Sequence, residues 1–146
     1  MHVYFAEQYL ADMDAAEETK WGGQFTRACR ESLVWQLLLA YQCHVADLLA
    51  QQPKFGLSVP GGVFAASDIA GAEFPPEIIE LSDREQQAGW LNSLVKYPFL
   101  QATVIPATDV IAFDGGQANR VLIDYRNCLS ELKSLIARHR ATLMEY

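Results

Sequence analysis

Apolar residues recur at three- and four-residue steps over four stretches of the chain, a spacing that places one face of an α-helix against a core. These stretches are residues 1–19, 24–52, 83–97 and 117–144. The pattern is clearest in the last one, where Leu122, Leu129, Ile136 and Leu143 repeat every seven residues beside a second apolar seam. A stripe of that width favours packing against two neighbouring helices.

Glycine, proline and capping residues set the expected boundaries of these helices. Gly22 and Gly23 end the first helix, and Pro53 with Gly56 ends the second. The third helix is predicted to begin at the capping box of residues 82–85, Ser-Asp-Arg-Glu. The fourth is predicted to begin at residues 114–117.

Two other segments lack helical periodicity. Residues 54–81 are interrupted by Pro60-Gly61-Gly62, Gly71 and Pro75-Pro76, which predicts a long irregular connection with short helical turns near 67–70 and 76–81. Residues 103–113 contain two short β-prone runs, which predict an extended stretch before the last helix. The whole pattern predicts a single all-α domain over residues 1–146, an antiparallel four-helix bundle.

Composition and charge narrow the classes of partner. The 146 residues are 51% apolar and 20% charged, as in a globular protein with one full core. The net charge of −7 disfavours binding to nucleic acid or to an anionic membrane surface. Residues 1–20 carry one Lys against five acids, whereas residues 117–146 carry five basic against three acidic side chains. This asymmetry favours antiparallel or lateral pairing of the first and last helices, within one chain or between chains, whereas the more ordinary interpretation is that both are simply solvated faces.

The cysteines and the apolar second helix indicate where in the cell the protein is expected. Cys29, Cys43 and Cys128 fall in apolar helical stretches and are expected to be buried, reduced thiols of a cytoplasmic protein. No secretory signal is expected at the N-terminus. The run from Leu33 to Ala50 is nearly long enough to span a membrane, but it contains Asp47, so a buried helix is expected instead.

The histidines are the candidates for metal binding. His2, His44 and His139 lie on three different predicted helices, so a bundle could bring them together as nitrogen ligands. Asp47 stands three residues after His44 and could share an ion with it, or accept a hydrogen bond from a neutral His44. The sequence lacks the local spacings of known zinc and di-iron sites, which makes His44, His139 and Asp47 candidates by convergence only.

No catalytic residue or cofactor is predicted. Cys43 or Cys128 could be paired with His44 or His139, but a thiol on an apolar helical face is poorly accessible and its pKa is raised. Glycine-rich phosphate loops, dinucleotide fingerprints and nucleophile elbows do not occur. The basic residues near His139 are consistent with the negative end of a helix dipole.

Four segments resemble a small family of gammaproteobacterial proteins of unknown function. They are the Tyr4-Phe5-Ala6 opening, the apolar helix over Leu37–Leu49, the Trp90–Leu94 segment and the Glu145-Tyr146 ending. The resemblance covers most of the chain and implies a helical fold and a bacterial cytosol, with no site residues.

Two functional hypotheses follow. The first is a non-enzymatic interaction or structural module that forms a homodimer, with a further unidentified protein partner possible in principle. The second is a ligand- or metal-binding bundle in which the histidines converge in the core. Aromatic side chains concentrate at helix ends and through residues 53–82, where they could cover a pocket, form an interface or simply close the bundle.

Overall fold

A computed structural model describes the backbone of residues 1–16, 22–99 and 124–145. It describes the side chains of residues 1–15, 27–99 and 124–145. Every regular element in these ranges is helical, and they contain no strand, which confirms the all-α prediction. The helices are α1 (His2–Ala16), α2 (Gly22–Gln51), α3 (Pro76–Gln86), α4 (Trp90–Val95) and α5 (Tyr125–Met144). Two 3-10 turns, Pro53–Phe55 and Ala66–Asp68, lie between α2 and α3.

Helix α2 provides the central surface of the core, as its unbroken apolar periodicity predicts. Its buried apolar side chains are Cys29, Leu33, Val34, Leu37, Leu38, Ala40, Tyr41, Val45, Leu48 and Leu49. Among the described residues, the segment Arg27–Gln51 is the one long and apolar enough to cross a membrane, and 61% of its apolar window is buried within the chain. Packing against the other helices therefore accounts for its hydrophobicity.

Helices α1 and α5 pair through oppositely charged side chains, which is one of the two interpretations that the charge distribution allows. Lys133 Nζ lies 2.7 Å from Glu7 Oε1, and Arg126 forms a second ion pair with Asp14. Since the positions in α5 fall as those in α1 rise, the two helices run antiparallel. Exposed ion pairs contribute little to stability, so these pairs chiefly favour one register.

Helix α3 runs antiparallel to α2. Gln52 near the end of α2 donates to Glu77 at the start of α3, and Tyr41 in the middle of α2 donates to Glu85 near the end of α3. Its buried side chains Ile78 and Leu81 join the same core as α2. The arrangement places the acidic residues of α3 beside the polar residues of α2.

The prediction of a third helix over residues 83–97 is wrong. Helix α3 already begins at Pro76, a position in the first turn that needs no backbone N–H donor, and it ends at Gln86. The chain is extended at Gln87 and Gly89 before α4 begins at Trp90. The capping box fails because Glu85, its acidic member, is buried and accepts hydrogen bonds from another part of the chain.

The connection between α2 and α3 ends earlier than the predicted 54–81, because α3 begins at Pro76. The first 3-10 turn ends at Gly56, whose φ of 61° is the left-handed conformation that glycine adopts without strain. The predicted turn near 67–70 corresponds to Ala66–Asp68, and the one near 76–81 is the start of α3. The buried Gln42 side chain donates to the Phe64 carbonyl at 2.8 Å and fixes this loop on α2.

Helix α5 confirms the predicted C-terminal helix from Tyr125 onwards. The Asp124 side chain caps it by accepting from the Asn127 backbone N–H at 3.0 Å. The buried residues follow the predicted stripe: Cys128, Leu129, Leu132, Leu135 and His139. The proposed start at 114–117 and the extended stretch at 103–113 lie outside the described residues.

Candidate functional site

Two groups of polar side chains are centred on buried residues of the helical core, His44 with His139 and Glu85 with Tyr41. The histidine cluster consists of His44 on α2, His139 and Arg138 on α5, and Glu80 and Arg84 on α3. The glutamate cluster consists of Glu85 on α3, Tyr41 on α2, and the backbone N–H groups of Ala66 and Ser67. Both clusters connect α2 with α3, and the histidine cluster also includes α5.

His44 and His139 meet in the core, as the convergence hypothesis anticipates. Their side chains are 3% and 2% exposed, and His44 Nε2 lies 2.9 Å from His139 Nδ1. The ring centroids are 5.1 Å apart and the ring planes are 20° from parallel, so the two rings lie edge to edge. This contact is a hydrogen bond between two imidazoles, in which one ring donates and the other accepts.

Glu80 connects the histidine pair to the surface. The Arg138 guanidinium binds its carboxylate with two hydrogen bonds of 2.5 and 3.0 Å, and Arg84 Nε adds a third of 2.9 Å. His139 Nε2 approaches the same carboxylate at 3.2 Å. The Arg138 hydrogen bonds are the main reason that the Glu80 pKa falls to about 2, so Glu80 is ionised at neutral pH.

The buried position of His44 opposes a positive charge on its ring. Burial is the main cause that lowers the His44 pKa to about 4, with added repulsion from His139 and Arg140. His44 is therefore neutral at physiological pH, with one N–H to donate and one lone pair.

Three donors converge on the carboxylate of Glu85, which is 2% exposed. The Tyr41 hydroxyl donates to Oε1 at 2.5 Å, the Ala66 N–H donates to Oε1 at 2.7 Å, and the Ser67 N–H donates to Oε2 at 2.9 Å. Burial and the nearby Glu85 charge raise the Tyr41 pKa, so its hydroxyl remains a donor. With every contact satisfied by a fixed donor, Glu85 holds the second 3-10 turn onto α3 rather than facing a substrate.

Asp47 and His2 do not join the histidine pair. Asp47 is exposed, and its carboxylate lies 4.0 Å from Arg140, so it neither binds His44 nor points into the core. His2 instead contacts the side chain of Gln36 through Nδ1 at 2.8 Å. Of the predicted ligands, the structure thus brings together His44 and His139 alone.

The cysteines have different environments. Cys29 and Cys128 are buried as predicted, but Cys43 is exposed, and the expectation that it is buried is wrong. Burial is the main cause that raises the Cys128 pKa to about 12, which leaves an unreactive thiol. Cys43 is adjacent to His44 in sequence but lies on the outward face of α2, because neighbouring residues of a helix point about 100° apart.

The described residues contain no group of three or more His, Cys, Asp or Glu side chains arranged to hold a metal ion. The His44–His139 contact supplies two nitrogens, but Glu80 is already bound by Arg84 and Arg138. Chemically, the cluster is best suited to holding and sharing a proton.

A shallow cleft of about 240 Å³ lies between the second 3-10 turn and α3. Apolar side chains line most of it, including Ile69, Phe74 and Ile79, with Ser67, Ser82 and Asp83 at its polar edge. The histidine pair is not among the lining residues.

Sequence reasoning missed Glu80, Glu85, Tyr41 and Arg138 as members of the polar clusters. One signal was available, since Glu80 and Arg84 are four residues apart and would face each other on a helix that begins at Pro76. Placing the helix start at Asp83 concealed that pair. Glu85 was interpreted as a capping residue, and no sequence pattern connects it with Ala66 or Tyr41.

No protein-family model, curated protein or solved structure matches this chain.

Proposed function

We propose that this chain is a non-enzymatic interaction or structural module of the bacterial cytoplasm that forms a homodimer. Its fold is then an antiparallel four-helix bundle in which α3 and α4 together take the place of one helix. The cytoplasmic part of this proposal is supported by the cysteines, all three of which are free. The dimer part rests on one observation, the exposed face of α1.

The exposed face of α1 is poor in charge and rich in apolar surface. Its members repeat with heptad spacing and are all exposed: Tyr4, Phe5, Gln8, Ala11, Asp12 and Ala15. Tyr4 is 58% exposed and Phe5 is 40% exposed, and their rings lie 5.9 Å apart. The other described acids of the helix, Glu7 and Asp14, pair with α5, so the face carries one formal charge.

The order of large and small residues on this face fits a second copy of the same chain. The aromatic residues lie near the start of α1 and the alanines near its end. When two copies pair antiparallel about Gln8, Phe5 faces Ala11 of the partner subunit, and Tyr4 faces Asp12 of the partner subunit. Large residues then meet small ones, and a phenol meets a carboxylate acceptor. Both contacts occur twice, as two-fold symmetry requires.

The Ala11→Glu variant tests this interface. We expect wild-type protein to sediment as a dimer of the 16.3 kDa chain and Ala11→Glu to shift towards monomer. The dissociation constant should rise at least about tenfold, because each new carboxylate is buried against Phe5 of the partner subunit. Sedimentation equilibrium over a dilution series measures both constants.

Ala137→Glu is the matched control, since Ala137 is an exposed alanine in the interior of α5. It introduces the same charge into a helix of the same chain, and the dimer should persist. A monomeric wild type, or equal weakening by both substitutions, contradicts the proposal. Both variants should keep the wild-type circular dichroism spectrum.

A ligand- or metal-binding bundle is the second candidate, and the contact between His44 and His139 favours it. Glu80 is not free to bind a metal ion, because its carboxylate already accepts hydrogen bonds from Arg84 and Arg138. We therefore expect purified protein to contain no stoichiometric transition metal by elemental analysis. We also expect zinc, nickel, copper or iron to leave its melting temperature unchanged. A stoichiometric metal that is lost in the His44→Gln variant would reverse the order of the two candidates.

A further inference from the structure

The direction of each hydrogen bond in the histidine cluster follows from Glu80. This carboxylate accepts from Arg84 and Arg138 and has no proton to donate, so His139 Nε2 must donate to it. A neutral His139 then carries its lone pair on Nδ1. The hydrogen bond of 2.9 Å to that atom requires His44 to donate from Nε2. Both rings are therefore the Nε2–H tautomer when the pair is neutral.

The pair tolerates one added proton but not two. If one proton is added, a doubly protonated His139 can donate from Nε2 to Glu80 and from Nδ1 to His44, whose Nε2 becomes the acceptor. The contact between the rings survives in that form. If both rings are charged, two N–H groups face each other across 2.9 Å with no acceptor between them. The second proton therefore breaks the contact between α2 and α5.

The charged groups around the pair act unequally on the two rings. On α3, Glu80 contacts His139, and Arg84 contacts Glu80. On α5, Arg138 also binds Glu80, whereas Arg140 repels a charge on His44. On α2 itself, Asp47 is exposed and lies beside Arg140. The compensating carboxylate therefore reaches His139, and His44 has no anionic contact among the described side chains.

We propose that the His44–His139 contact is an acid-sensitive seam, which fastens the C-terminal half of α5 to α2 at neutral pH and opens when His44 takes up a proton. The proposal concerns the contact between α2 and α5 and is independent of the dimer interface on α1.

The sign of the pH dependence follows from burial. The His44 pKa falls from 6.5 in the open form to about 4 in the folded form, so the open form binds the proton more tightly. The seam is fully stable above about pH 6.5 and loses stability as the pH falls towards 4. The Glu80 pKa of about 2 keeps that carboxylate ionised over the whole window, so its protonation does not cause the opening.

The test compares unfolding of wild type, His44→Gln and His2→Gln between pH 8 and pH 4. Glutamine places an amide N–H near the position of Nε2 and can still donate to His139, but it does not titrate. His2→Gln removes a histidine outside the cluster. From pH 6.5 to 4, the unfolding constant of wild type should rise by up to roughly tenfold per pH unit more than that of His44→Gln. His2→Gln should keep the wild-type slope.

Hydrogen exchange locates the opening. After correction for intrinsic exchange, amides of residues 137–144 should lose protection between pH 7 and pH 5 in wild type, and those of the α1 segment 2–16 should not. Equal pH slopes in wild type and His44→Gln, or uniform loss of protection along the chain, would overturn the proposal.

Nitrogen NMR of the wild-type histidine rings keeps the test decisive if His44→Gln fails to fold. His44 should remain neutral well below pH 6, as the Nε2–H tautomer while His139 is neutral and as the Nδ1–H tautomer once His139 donates to it. A His44 ring that titrates like a free imidazole would also overturn the proposal.

Discussion

Glu85→Ala is expected to lower the free energy of unfolding by about 3 to 4 kcal/mol, because it leaves buried donors without an acceptor. The Tyr41 hydroxyl and the Ala66 N–H both lose their partner in the core. The second 3-10 turn also loses its attachment to α3. Urea unfolding followed by circular dichroism at pH 7 measures the change.

Gln86→Ala is the matched control for this prediction, since Gln86 is the next residue of α3 and is exposed. Its effect should stay within about 0.5 kcal/mol. The loss of stability in Glu85→Gln should be smaller than in Glu85→Ala and larger than in Gln86→Ala. The glutamine amide oxygen can still accept a hydrogen bond, but its amide nitrogen faces a donor. A loss below about 1 kcal/mol for Glu85→Ala would show that water replaces the carboxylate.

His139→Ala is expected to cost about 3 kcal/mol at pH 7, from a cavity in the core and an unpaired N–H on His44. The neighbouring Arg140→Ala removes a longer side chain that is 65% exposed, and it should change stability by less than about 1 kcal/mol. Urea unfolding of both variants at one pH gives the comparison. Equal losses of unfolding free energy in the two variants would mean that the contact between the imidazoles does not stabilise the core.

A double-mutant cycle isolates the contact itself. His44→Ala and His139→Ala should together cost less than the sum of the single variants, because either one already breaks the hydrogen bond. Strict additivity would contradict the stated coupling between the rings.

The long amphipathic helices were predictable from sequence because a buried helix face requires apolar residues at steps of three and four. α2 and α5 appear where apolar spacing is continuous, and Pro53 ends the longer of them as expected. The opposite charges of α1 and α5 allowed their pairing as one of two interpretations, and the ion pairs between them establish that it is antiparallel. Each of these features depends on local composition.

The break between α3 and α4 was not predictable from local rules. Ser82 to Glu85 satisfies the spacing of a capping box, but that pattern does not reveal that Glu85 is buried against Ala66 and Ser67. Tertiary hydrogen bonds determined the role of this residue. The helical turn at 76–81 was predicted, but the sequence did not show that it continues through Asp83 to Gln86 as one helix.

The candidate site was predictable in part. That His44 and His139 could meet followed from their positions on different helices, but the hydrogen bond between their rings did not. Asp47 is a candidate by spacing because it follows His44 by three residues, yet its helix face points to solvent. Glu80, the carboxylate that does reach the pair, lies on a helix whose start was misplaced.

The sequence separation of the buried polar contacts has a consequence for the order of folding. The Gln42–Phe64 and Tyr41–Glu85 contacts close loops of 22 and 44 residues, whereas His44 and His139 are 95 residues apart. Closing a longer loop costs more chain entropy, so the contacts of α2 with its following loop and α3 form first. Docking of α5, whose polar contacts with α2 and α1 span 95 to 126 residues, is then expected to complete the core.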